Sequence, residues 1–84
     1  APVTAPAAGK VIYAQTYRSF ENIVIIEHGQ GWSTLVTGLA SLSVKPGQII
    51  SQGQSVGNVG QEDTEITLEL RRNGRVMDIA ALWL

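Results

Sequence analysis

A length of 84 residues bounds this chain to one domain with a small core, since a domain of that size buries only about 60–65% of its unfolded surface. The composition, 44% hydrophobic and 15% charged with a formal net charge of −1, is that of a globular chain. It excludes the clustered basic face that nucleic-acid binding requires. Cysteine is absent, which removes disulfides, thiolate metal sites and cysteine nucleophiles together. No apolar run reaches the length of a transmembrane helix, and no basic-then-apolar signal segment is seen. The chain opens in an extended, Pro-punctuated segment, Ala1 to Pro6, without an initiator Met, and reads as a mature or excised fragment.

In chain order the apolar pattern repeats at period two, the mark of strands. Gly9 to Gln15 is the first predicted strand, with Val11 and Tyr13 alternating against Lys10 and Ile12. Asn22 to Glu27 is a near-continuous β-branched run that predicts a strand covered on both faces. His28-Gly29-Gln30-Gly31 follows as a turn, and Trp32 to Thr37 as the returning strand. Pro46-Gly47 and Gly53-Gln54 bracket a short strand, Gln48 to Ser51, and Ser55 to Val59 gives another.

Thr64 to Arg71 has the cleanest alternation. Ile66, Leu68 and Leu70 face one side, and Glu65, Thr67 and Glu69 the other. Asn73-Gly74 is the residue pair that a type I′ turn favours. Arg75 to Asp78 returns from it, and Ala80 to Leu84 is expected to close with one helical turn. These signals predict an all-β domain, a compact antiparallel barrel or sandwich of about seven short strands.

Three stretches, taken in order, resemble the lysostaphin-like (LytM) zinc endopeptidases. They are APVTAPAAGKVIYA (1–14), NIVIIEHGQGWSTLVTGLASLSVKPGQIISQGQSVGNVG (22–60) and TLELRRNGRVMDIAALWL (67–84). The resemblance spans nearly the whole chain and implies that family's fold over residues 1–84. In the family the remaining two zinc ligands, a His and an Asp, lie upstream of the position of Pro2, so by resemblance the chain reads as a fragment lacking that metal-ligand segment.

The departures from the family's pattern bear on chemistry. Active members carry a Tyr-Ala-His-Leu stretch where this chain has Val36-Thr37-Gly38-Leu39, so Gly38 stands in the place of a histidine. They carry His-x-His-Phe-Glu, with the second His a zinc ligand, where this chain reads Glu65-Ile66-Thr67-Leu68-Glu69. A hydrolytic zinc needs three protein ligands and an open position for water, and a neutral Thr67 hydroxyl is a poor donor to it. The expectation is therefore a degenerate, non-catalytic member with no metal and no cofactor.

Other chemistries find little support. His28, the single histidine, is at a position that the family's turn occupies without catalytic duty. Glu65 and Glu69 are about 13 Å apart at strand rise, too far for a glycosidase pair. Together with Thr67 they read as an exposed polar face. The serines lack a base and the Gly-x-Ser-x-Gly pattern. Gly53 to Gly60 lacks the helix and lysine of a phosphate cradle. Lipoyl and biotinyl carriers share the Pro-Gly-Gln turns, but Lys10 falls inside a strand and Lys45 beside Pro46, neither at a hairpin tip. Trp83 reads as core, while Tyr17 and Phe20 sit in a polar loop.

By resemblance the function expected is binding in the bacterial periplasm or cell envelope, with regulation of a peptidoglycan amidase as one form of it. A structural docking or glycan-binding module is the alternative. The vacated cleft is expected to include Val36, Gly38, Glu65, Thr67 and Glu69, rimmed by Tyr17, Arg18 and Phe20.

Overall fold

A computed structural model describes residues 2–17, 21–59 and 65–83. Its elements in chain order are β1 (Pro2–Thr4), β2 (Gly9–Tyr17), β3 (Glu21–Gly29), β4 (Trp32–Leu39), β5 (Ser41–Leu42), β6 (Ile49–Ile50), β7 (Ser55–Asn58), β8 (Glu65–Arg72) and β9 (Arg75–Trp83). They form two antiparallel sheets, a small one ordered β1-β7-β5 and a large one ordered β6-β2-β3-β4-β8-β9. The all-β expectation is met, with more strands than the turn signals alone indicate.

The large sheet is a run of hairpins whose turns follow from their residues. Gln30 and Gly31 take φ of 56° and 82°, and Asn73 and Gly74 take 52° and 83°. Positive φ at both central positions matches the twist of paired strands. The Asn73 N–H donates to the Gly31 carbonyl at 2.8 Å, tying the two hairpin tips together. The Pro-Gly-Gln and Gln-Gly-Gln segments build one turn twice. The Gln48 side-chain carbonyl accepts from the Lys45 N–H at 3.2 Å, and that of Gln54 accepts from the Ser51 N–H at 3.0 Å. Each glutamine thus closes its own turn, a structural reason for the repeated motif.

The small sheet covers one face of the large one. Val3 and Val56 meet Val11, Val24, Ile26, Val36, Leu39 and Ile66 in a single core. In β8 Ile66 is fully buried and Leu68 packs partly against the core, but Thr67, Glu69 and Leu70 are half-buried alike, so the polar face is not the exposed one expected.

Three further expectations are corrected. In β2 the alternation breaks, because Val11 pairs with Ile26 and Tyr13 with Ile25, leaving an extra residue at Ile12. This bulge shifts the side-chain phase, so Val11 and Ala14 enter the core while Ile12 is exposed. The strand expected over Gln48 to Ser51 shrinks to Ile49–Ile50, which pairs only with Gly9 and Lys10. Finally, residues 80–83 form no helical turn. β9 continues to Trp83, held by pairing with β8 as far as Glu65↔Trp83, and a strand ladder supplies the hydrogen bonds that an isolated turn of helix would have to nucleate unaided. Leu84 lies outside the described residues.

Candidate functional site

The register of β4 against β8 sorts their side chains between the two faces of the large sheet. Val36 pairs with Leu68 and Thr34 with Leu70 on the inner face, toward the small sheet. Thr37 pairs with Thr67, Leu35 with Glu69 and Ser33 with Arg71, and these six side chains share the outer face. Further pairings extend one row across the sheet, from Tyr13 through Ile25 and Leu35 to Glu69. All four are half-buried. The outer face therefore has an apolar floor that runs from β2 to a carboxylate on β8.

That carboxylate is not free. Glu69 Oε2 accepts from Arg71 Nη2 at 3.1 Å on the same strand, two residues apart and on the same face. The Arg71 Nε is buried with no hydrogen-bond partner. An unsatisfied buried donor is costly, so an acceptor brought by a bound molecule would gain a ready partner here.

Of the cleft residues expected from sequence, Thr67 and Glu69 lie on this face, half-buried. Gly38 follows Thr37 at the end of the row and holds φ of 91° in a β-bulge, where Val24↔Val36 is succeeded by Asn22↔Leu39. Val36 is corrected: at 0% exposure on the inner face it belongs to the core and lines no surface. The Glu65 backbone opens β8, and the Tyr17 backbone pairs with Glu21 at the end of β2. Arg18 and Phe20 lie outside the described residues. Sequence reasoning missed Ile25, Leu35 and Arg71, while Tyr13 is an aromatic that the sequence offers as a groove-lining residue. Period-two patterning flags such positions, but only the register shows that they share one row.

The residues present do not fit a zinc ion. Gly38 offers no donor and Thr67 only a neutral hydroxyl. Among the described residues no three His, Cys, Asp or Glu side chains come together. The single histidine points to the other face. His28 Nδ1 lies 2.8 Å from the Ala8 carbonyl and Nε2 lies 2.7 Å from Thr34 Oγ1, so both ring nitrogens are engaged.

The family model described as peptidase family M23 matches residues 1–79. The chain belongs to peptidase family M23. Within it, the chain is similar to the cell division protein DipM of Caulobacter vibrioides, at 33% identity over 94% of this chain and 14% of that protein. It is also similar to a lipoprotein NlpD/LppB homolog of Pseudomonas aeruginosa (32%, covering 92% and 27%) and to stage II sporulation protein Q of Bacillus subtilis (30%, covering 90% and 29%). It thus spans 14–29% of the length of these relatives.

Among solved structures, a chain of the SpoIIIAH and SpoIIQ complex superposes with a TM-score of 0.81 at 26% identity, covering 92% of this chain and 58% of that one. The LytM-like resemblance drawn from the three sequence stretches is thereby established. By that resemblance this M23 domain has Gly38, Glu65 and Thr67 at positions where active members carry imidazoles.

Proposed function

We propose that this domain is a non-hydrolytic M23 module of the bacterial cell envelope that engages a protein partner through the outer face of its large sheet. The observation that carries the reading is the pairing of Thr37 with Thr67 beside the Leu35–Glu69 pair. By resemblance this is the face where a hydrolase holds a metal and imidazoles; among the described residues it keeps an apolar floor and one ion pair, and the histidine His28 bonds on the other face. Such a surface can gain affinity from a few half-buried anchors. The relatives named as a cell division protein and a lipoprotein, and the solved match drawn from a two-protein complex, support an envelope setting and a protein partner. Activation of a peptidoglycan amidase is the finer form of this proposal.

The test pairs the full-length protein with envelope amidases, measuring both binding and amidase turnover. Leu35→Asp places a charge in the floor, and Glu69→Lys breaks the Arg71 pair. Each is expected to weaken binding by about tenfold or more. Retention on insoluble peptidoglycan without effect on any amidase would favour the docking or glycan-binding module. Peptidoglycan cleavage by the domain itself would refute a non-hydrolytic role.

A further inference from the structure

The hairpin that joins β8 to β9 concentrates positive charge. Three of the chain's six basic residues, Arg71, Arg72 and Arg75, lie in it. Arg71 pairs with Glu69 on the outer face, the one ion pair among the described side chains. Arg72 and Arg75 are directly opposite one another across the strand pair, on the other face, and both are exposed. Cross-strand partners have Cβ atoms about 4.5–5.5 Å apart, and like charges so placed destabilise the pair.

Arg72 is also held in place. Trp32 is directly opposite it on β4, and the guanidinium sits over the indole at 5.1 Å from the ring centre. Such a stack uses the face of the guanidinium and leaves the N–H groups in its plane able to donate. It lowers the ordering cost of binding. The tip beneath is fixed as well, because the Asn73 N–H donates to the Gly31 carbonyl at 2.8 Å.

From the direct opposition of Arg72 and Arg75 beside Trp32 we propose that the two guanidiniums form a clamp for a single phosphate monoester. The choice of ligand follows from charge and donor count. Two guanidiniums carry two positive charges and two forks of N–H donors. A carboxylate has one charge and two oxygens, which a single fork uses up. A phosphate monoester has three terminal oxygens and a charge of about −1.5 to −2 at pH 7, enough to engage both forks and to offset the repulsion between them. A phosphodiester lacks one of those charges and one of those oxygens. Nucleic acid is disfavoured, since its binding rests on several phosphate contacts along a basic face, and this end of the sheet has one pair.

The clamp is separate from the outer face, because Arg72 projects from the side of β8 opposite to Thr67 and Glu69. Its failure would leave the proposed partner surface standing.

Calorimetric titration of the full-length protein at low ionic strength tests it with methyl phosphate, dimethyl phosphate and acetate. Methyl phosphate is expected to bind about tenfold or more tighter than either of the others, as for loss of one charge-assisted bond. Its affinity should fall as the pH is lowered from about 7.5 to about 5.5, where the monoester takes up a proton. Arg72→Lys and Arg75→Lys, which keep charge without the fork, should each weaken binding by about tenfold. The double variant Arg72→Gln, Arg75→Gln should abolish it. Phosphatidylcholine vesicles with and without phosphatidic acid separate the sources of the phosphate. Arginine-dependent binding of both methyl phosphate and the phosphatidic acid vesicles assigns the clamp to a lipid headgroup, and binding of methyl phosphate alone assigns it to a soluble ligand. Equal binding of monoester and diester, unchanged binding by the folded double variant, absence of methyl phosphate binding, or binding of the vesicles alone would each overturn the proposal.

Discussion

His28 Nε2 and Thr34 Oγ1 lie 2.7 Å apart, and this contact makes the chain's only histidine a structural residue. The Ala8 carbonyl, 2.8 Å from Nδ1, can only accept, so Nδ1 carries the ring proton and donates it. In that tautomer Nε2 accepts from the Thr34 hydroxyl. Thr34 is 2% exposed, so water cannot easily replace this partner. The bond ties β3 to β4 beneath their hairpin, and through Ala8 it ties both to the chain that leads into β2.

His28→Phe should therefore destabilise the domain by about 1–3 kcal/mol, the cost of leaving a buried hydroxyl unsatisfied. Adding Thr34→Val should recover part of that loss, because removing both partners is cheaper than removing one. Chemical denaturation of the two single variants and the double variant measures the coupling. Strict additivity would show that the two side chains do not share a bond.

The core of β8 gives a second expectation. Ile66 is fully buried, whereas Thr67 is half-buried on the outer face. Ile66→Ala should cost about 2–5 kcal/mol and Thr67→Ala about 0.5 kcal/mol or less. The reverse order in urea melts would place the register one residue away, since a single slip exchanges the two faces of a strand.

Metal content is a third. With Gly38 and Thr67 at the positions of expected imidazoles and His28 bonded on the inner face, the domain purified without chelator should retain no zinc through dialysis. One zinc per chain by elemental analysis would refute this.

These residues also show how far the sequence could be read. The alternation around Ile66 and the turn residues Asn73-Gly74 were legible because strand period and left-handed φ leave direct marks on residue choice. The bulge at Ile12 was not, since no residue there is unusual. An extra residue in a ladder is visible only against its partner strand. Ala80 to Trp83 misled for the opposite reason, because their local preference is helical and pairing with β8 overrides it. At the candidate site, the replaced imidazoles were plain from sequence order. Val36 was misplaced because the bulge at Gly38 lets Val36 and Leu39, three residues apart, both enter the core. That bulge has its own repair: the Asn22 side-chain amide donates to the Leu39 carbonyl at 2.9 Å, where the ladder is interrupted.

Gly38 and Gly57 offer the last expectation, because each needs glycine for a different reason. At Gly38 the reason is backbone conformation, φ of 91°, a region that costs other residues about 1–2 kcal/mol and that Asn tolerates better than most. At Gly57 the reason is space. A Cβ there would collide with the Ser41 carbonyl oxygen and approach Leu39 Cδ1 to 3.0 Å, and β5 holds that carbonyl in place by its pairing with β7.

The two positions should accordingly rank substitutions in opposite orders. At position 38, Asn should be better tolerated than Ala, and β-branched Val worst. At position 57, Ala should be bad and the larger Asn worse, with losses of about 1–3 kcal/mol or more from overpacking. Thermal melts of the Asn and Ala variants at both sites decide it. The same ranking at both positions would mean that one constraint, conformation or space, governs both glycines. The result also bears on the vacated site: Gly38→His would carry the conformational penalty of any side chain at that φ, so restoring this imidazole should cost stability without bringing back a metal centre.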